Sequence, residues 1–157
     1  MKKQKSADGT VATNRKALYE YHIIETFEAG LVLKGAEVKS LREKNTSLDA
    51  AFARAENGEI YLHNLHINPY IYSTVDTPNP LRTRKLLLKK TEIKRLTGKT
   101  QIRGYALIPL EIYFKDGWAK VKLALAQGKK APDKREAIKK RETDREARRE
   151  FKDKYRG

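Results

Sequence analysis

The sequence predicts a mainly β fold, a small closed β barrel with short peripheral α-helices and a basic C-terminal tail. Three observations predict it. Two turn dipeptides, Asn57-Gly58 and Asp116-Gly117, sit between strand-like runs and supply the positive φ angles that a tight hairpin demands. Five or six such runs, with short helices between them, fit into fewer than 130 residues. The last 31 residues, Gln127 to Gly157, hold 20 charged side chains, 13 basic and 7 acidic, and cannot bury a core of their own.

Along the chain, residues 1–13 are rich in Lys, Ser, Gly and Thr without periodicity, and order is expected to begin near Asn14. From Tyr19 onward, alternation sets Tyr21, Ile23 and Phe27 on one side of an extended run, opposite His22, Ile24 and Thr26, until Gly30 is expected to break it. After Gly35, Val38 and Leu41 form a short apolar stripe at helical spacing, ending by Asn45. The first hairpin joins Phe52–Ala55 to Ile60–Leu65, and a Pro- and Asn-containing loop covers Asn68 to Pro80. A short helix is expected from about Lys89 to Leu96, closed by Gly98. The second hairpin joins Tyr105–Phe114 to Trp118–Ala126. This gives three regions: a flexible start at 1–13, a barrel at 14–126 and a tail at 127–157.

The chain has 157 residues, enough for one domain and an appendage, and its 39 % apolar content supports a modest core. A net charge of +15 fits a partner that is a polyanion. No window approaches the apolar length of a spanning helix, and Met1-Lys2-Lys3-Gln4-Lys5 does not lead into an apolar signal core, so a cytoplasmic protein without a membrane partner is expected. The absence of cysteine excludes disulfides, thiolate zinc sites and thiol catalysis.

Chemistry other than binding finds little support. Thr97-Gly98-Lys99-Thr100 matches the end of a phosphate loop, but the required earlier glycine is Ile93, and the stretch ends a helix where a phosphate loop begins one. His63 and His66, three apart in an extended run, point to opposite faces and cannot jointly hold a metal. No nucleophile motif frames the serines. We therefore expect no enzyme activity, no metal and no cofactor.

Positive charge is the signal. Arg82, Arg84, Lys85, Lys89, Lys90, Lys94, Arg95, Lys99 and Arg103 fall within 22 residues against the single acid Glu92, a local net of +8. Tyr61, His63, Tyr70, Tyr72 and Trp118 add stacking platforms where they are exposed, although the sequence leaves open whether Trp118 belongs to the core. A small barrel with a basic and aromatic surface matches the oligonucleotide-binding (OB) architecture. The tail, net +6, carries alternating charges that support a helix once a partner supplies a docking surface.

Four separated blocks now carry a specific likeness: Gly30-Leu-Val-Leu-Lys-Gly-Ala-Glu-Val-Lys-Ser-Leu-Arg42, Asp76–Pro80 running into Leu81-Arg-Thr-Arg-Lys-Leu-Leu-Leu88, Gly104-Tyr105 to Pro109-Leu110, and Gly128-Lys-Lys with Asp133-Lys-Arg135. In order and spacing the chain resembles the SsrA-binding protein (SmpB) family from Asn14 to about Arg141. The resemblance implies an OB-type barrel that grips the tRNA-like domain of transfer-messenger RNA, acting as a monomeric adaptor in trans-translation. It also implies a tail that is disordered when free and helical on the ribosome, where it enters the empty mRNA channel and the decoding centre of the small subunit.

Carried over by resemblance, Asn14, Arg15 and Lys16 match an N-terminal RNA-binding motif, Glu28 a functional glutamate, and Leu87 a leucine tied to RNA binding. The basic residues Lys34, Lys39, Arg82, Arg84 and Lys85 are further RNA-binding candidates. From the residues alone, Glu28 reads equally as a capping or ion-paired acid and Leu87 as a buried leucine. Gly128, Lys129, Lys130, Asp133, Lys134 and Arg135 match the segment used at the decoding centre. Gln127 and Pro132 depart from the family pattern, and Pro132 suits the first turn of a helix. A structural ribosomal protein shares the basicity, and an RNA enzyme using His22 or His63 is the remaining alternative.

Overall fold

Six antiparallel strands close into a ring in the computed structural model, which describes residues 9–72, 77–129 and 131–154. In chain order the elements are β1 (Thr10–Thr13), α1 (Ala17–Glu20), β2 (Tyr21–Leu31), α2 (Gly35–Arg42), β3 (Thr46–Ser47), β4 (Phe52–Glu56), β5 (Glu59–His63), β6 (His66–Ile67), β7 (Arg84–Leu87), α3 (Lys90–Thr100), β8 (Tyr105–Lys115), β9 (Trp118–Gly128) and α4 (Ala131–Lys154). The ring runs β8-β4-β5-β7-β2-β9 and closes by pairing of β9 with β8, while β1 adds to the outer part of β8 and β3 pairs with β6. The closed barrel expected from the hairpin pattern is present, and its fold is that of the OB class.

Both hairpins form as their turn chemistry dictates. Asn57 and Gly58 have φ of 51° and 76°, and Asp116 and Gly117 have 52° and 81°, the paired positive angles that match the twist of the flanking strands. The long strands bend at bulges between Ile23 and Glu25 and between Pro109 and Glu111, which lets three 11-residue strands wrap a narrow barrel. Pro109 lies at its bulge, where a missing N–H costs the ladder least. Ile60, Leu62, Leu86, Leu107, Ile112, Val121 and Leu123 fill the interior, each worth about 1.5–3 kcal/mol of transfer free energy.

Four expectations are corrected. Order begins before Asn14: Thr10–Thr13 is a strand because β8 is long enough to offer it an edge beyond β4. Gly30 does not break β2. It lies within the strand opposite Leu87, where an added Cβ would approach the Leu87 Cβ to 3.2 Å, so its lack of a side chain lets Leu87 lie across the sheet. Gly98 does not end α3; Ile93 and Leu96 bury the helix against the barrel, the Thr97 and Thr100 hydroxyls donate back to Ile93 O and Leu96 O, and the chain turns instead at Gly104, φ 93°. These contacts outweigh the roughly 1 kcal/mol that glycine costs in a helix.

The fourth concerns the tail. Gln127 and Gly128 pair with His22 and Tyr21 in β9, so the barrel extends two residues beyond Ala126. Ala131–Lys154 forms a 24-residue helix, the form that the alternating charges of the tail support. Its sequence sets Lys140 with Asp144, and Asp144 with Arg148, at i,i+4. The Arg141 guanidinium lies 5.8 Å from the Tyr19 ring centre, tying α4 to α1. Pro132 stands in the first turn, where its missing N–H leaves no bond unmade. The expectations placed on Met1–Lys5, Asp76 and Lys130 lie outside the described residues.

Candidate nucleic-acid interface

One row of residues crosses four strands on the outside of the barrel. Leu87 of β7 opposes Gly30 of β2, Gly30 opposes Lys120 of β9, and Lys120 opposes Tyr113 of β8. Because strand side chains alternate, Glu28, two residues from Gly30, shares this outer face and opposes Lys122. Two residues that the sequence placed 59 positions apart, Glu28 and Leu87, thus meet on one surface. Leu87 is 54 % exposed and Trp118, beside the second turn, 72 %, which settles the open question about both. With Val32, Leu33 and Val38 they border an apolar groove of about 570 Å³.

Glu28 is held in place. Its carboxylate accepts the Tyr113 hydroxyl at 2.6 Å and the Lys115 ammonium at 3.4 Å. The Tyr113 hydrogen bond, aided by Lys115 and Lys120, holds the Glu28 carboxyl below the usual carboxylate range. Burial and the same bond push the Tyr113 phenol well above its ordinary value. Near neutral pH the pair is therefore a charged acceptor and a fixed donor, with Lys115, Lys120 and Lys122 around it. That surface can receive phosphates on its cations while the carboxylate accepts from a base or ribose donor.

Two predicted site residues lie elsewhere. Arg84 is fully buried and cannot reach a phosphate. Its Nε donates to Glu37 Oε2 at 2.7 Å, Nη1 to Leu65 O at 2.6 Å and Nη2 to Pro80 O at 3.2 Å. β7 alternates, so Arg84 points inward with Leu86 while Lys85 and Leu87 point out; a guanidinium there is tolerated because Glu37 and two carbonyls saturate it. Burial alone would raise the Glu37 carboxyl, but Arg82, the Lys34 N–H and Arg84 together hold it below its ordinary value. Asn14 is also buried: its amide donates to Pro109 O at 3.1 Å and its Oδ1 accepts from Ala17 N, so it pins α1 to the β8 bulge.

The remaining predicted residues are distributed over three places. Arg15 and Lys16 are exposed at the start of α1. Lys34, which precedes α2, and Lys39 within it are exposed, with the Lys39 ammonium 5.5 Å from the Tyr70 ring; Arg82 is partly covered by its bond to Glu37, and Lys85 pairs with Glu59 at 3.5 Å. Gly128 ends β9, and Lys129 anchors the tail by donating its N–H to Glu20 O and its ammonium to Leu18 O. The backbone of Asp133, Lys134 and Arg135 is helical in the first turns of α4, with Arg135 exposed.

Sequence reading missed Tyr113, Lys115, Lys120 and Lys122. The signal was present: a two-residue Asp116-Gly117 loop fixes Lys115 opposite Trp118 and hence Tyr113 opposite Lys120. It also missed Glu37, whose role depends on contacts far along the chain. Among the described residues there is no cluster of three or more metal-ligating side chains, and no helix is long and apolar enough to cross a membrane.

Residues 11–153 match the family model described as SmpB protein. The SsrA-binding protein of Elusimicrobium minutum (strain Pei191) is 53 % identical over 154 residues, 98 % of each chain. That of Desulforudis audaxviator (strain MP104C) is 59 % identical over 137 residues, 87 % of this chain and 90 % of the relative. A solved chain described under "tmRNA-SmpB: a journey to the center of the bacterial ribosome" superposes with a TM-score of 0.66 at 48 % identity, covering 84 % of this chain and 94 % of the other.

Proposed function

This chain belongs to the SmpB family of SsrA-binding proteins, and from that premise we propose how its parts divide the work of trans-translation. It is an RNA-binding protein that binds transfer-messenger RNA and acts in ribosome rescue. The observation that carries this reading is the family match itself, which runs without a break through barrel and tail.

In this reading the barrel, residues 10–129, grips the tRNA-like domain through the face that carries Glu28, Leu87, Tyr113, Lys115 and Lys120. Arg15, Lys16, Lys34, Lys39, Lys85 and the exposed part of Arg82 add phosphate contacts around it, while Arg84 and Asn14 serve the fold. The tail, from Lys130 on, enters the empty mRNA channel and sets Asp133, Lys134 and Arg135 at the decoding centre. Lys129, bonded to α1, fixes where the tail leaves the barrel. The protein works in the cytoplasm as a monomeric adaptor and performs no bond chemistry of its own.

The test is a pair of measurements on the full chain and on a chain ending at Lys129, which keeps β9 intact. Binding of the tRNA-like domain should change by less than about threefold, roughly 0.65 kcal/mol, on truncation. Tag addition to stalled chains should be abolished. Loss of RNA binding in the shortened, folded chain would refute the division, and so would normal tagging without the tail.

A further inference from the structure

We infer that the loop after β6 carries a further contact for the tRNA-like domain: Tyr70 and Tyr72 form a platform on which one unpaired base stacks, and Lys39 meets the adjoining phosphate. The contact rests on the RNA binding proposed above and extends that interface across α2.

Of the aromatic residues that the sequence singled out, Trp118 borders the groove beside Glu28, and Tyr70 and Tyr72 lie outside it. Ile71 and Tyr72 are 79 % and 71 % exposed, as open to solvent as Trp118. Large apolar side chains exposed in a row mark a surface that a partner covers. The Tyr70 and Tyr72 rings meet edge to face, with centres 5.5 Å apart and planes at 65°, and the Lys39 ammonium lies 5.5 Å from the Tyr70 ring centre. These contacts hold the half-buried Tyr70 in place and leave the Tyr72 ring open to a base.

The base of the loop is fastened on both sides. Ile67 donates its N–H to Pro80 O at 3.0 Å, and Asn68 donates to Asn45 O at 2.9 Å. On the return, Asn79 accepts from Leu81 N through Oδ1 and from Arg82 N through its carbonyl. With Pro69 and Pro80 limiting φ, the tyrosines are presented on a braced support, which lowers the ordering cost of a stacked contact.

Charge and position select the partner. Glu37 lines the crevice beneath the loop but is buried and bonded to Arg82 and Arg84, so the surface takes its sign from Lys39 and the exposed part of Arg82. Cations beside flat aromatic rings fit a polyanion with flat bases. On α2, Val38 borders the groove beside Leu87 and Trp118, whereas Ala36, two residues earlier and so on the opposite side of the helix, lines the crevice under the loop. One helix, about 10–12 Å across, thus separates the groove from the tyrosines. An RNA strand seated on the Glu28 face reaches them by crossing α2.

Full-length protein carrying Tyr72→Ala tests the contact, with circular dichroism to confirm that the variant is folded. Affinity for the isolated tRNA-like domain should fall at least fivefold, as loss of one stacked base requires. Tyr72→Leu, which keeps apolar area without a ring, should lose as much, and Tyr72→Trp should stay within about twofold of wild type. Lys39→Ala should reduce the slope of log affinity against log salt by about 0.7, one single-strand phosphate contact, and Tyr72→Ala should leave that slope unchanged. Wild-type affinity in Tyr72→Ala would overturn the inference. So would full affinity in Tyr72→Leu, or a loss seen only with salt-washed ribosomes while the tRNA-like domain binds normally. Wild-type protein that ignores the tRNA-like domain would overturn the proposed function itself, a result read before any variant is compared.

Discussion

Glu28 and Glu37 look alike in the sequence, two acids in strongly basic surroundings, and the fold uses them in opposite ways. The Glu37 side chain is 3 % exposed and closes a buried pair with Arg84, with Arg82 and the Lys34 N–H on its other oxygen. Glu28 is 42 % exposed and holds only surface groups, Tyr113 and Lys115. A charged partner inside the wall has no water to fall back on, so Glu37 is required by Arg84 whether or not any RNA is present. Outside the wall the same chemistry can be given up to a ligand at small cost, which is what a binding surface needs.

The strongest way to break this comparison is Glu37→Ala. It leaves Arg84 buried without its counter-charge, and stability should fall by about 3–5 kcal/mol, seen as a denaturation midpoint lowered by on the order of 10 °C. RNA affinity per folded molecule should be unchanged. A variant as stable as wild type would mean that Leu65 O and Pro80 O alone satisfy the guanidinium.

Glu28→Ala should do the reverse. Affinity for the tRNA-like domain should fall about tenfold, roughly 1.4 kcal/mol, with stability altered by less than about 0.5 kcal/mol. A drop in melting temperature with normal affinity would return Glu28 to the role of structural ion pair. Tyr113→Phe removes the donor that fixes the carboxylate and keeps the ring, so we expect a smaller loss, about threefold in affinity. An unaffected variant would show that Lys115 alone orients Glu28.

Acid separates the two sites by a different measurement. The Glu37 carboxyl is lowered in the folded state, so its contribution is complete above the ordinary carboxylate range and is lost as pH falls through its depressed value. Unfolding free energy should therefore decline below about pH 4.5 and decline less steeply in Glu37→Gln, which has no proton to take up. Parallel acid limbs in the two proteins would contradict the assignment. The smallest effect concerns the tail: truncation after Lys129 should remove helical ellipticity equivalent to the 24 residues of α4 while leaving the melting temperature of the barrel within about 2 °C.

How much of this was legible in the sequence differs element by element. Both hairpins, the helix at Gly35–Arg42 and the barrel class were readable because Asn-Gly, Asp-Gly and the alternating runs act within a few residues. Glu28 and Leu87 were named only through the family likeness. What placed them side by side was the register of β7, β2, β9 and β8, set by the ring as a whole. The +8 cluster misled at Arg84 because counting charge in a window ignores parity. One residue on, Lys85 faces solvent.

By itself, then, the sequence determined the local turns, the strand and helix content, the basic character and a tail too charged to bury itself, since each follows from dihedral preference or from the sum of side-chain properties. Only the tertiary structure decided which charges are inside. Arg84 meets Glu37 across 47 residues, and Asn14 meets Pro109 across 95, in contacts between segments that only the folded chain brings together. It also decided that the barrel ends at Gly128 and not at Ala126, because β2 reaches back to Tyr21 and supplies a partner for two more residues. Burial and register are properties of the closed surface, and no stretch of the chain contains that information by itself.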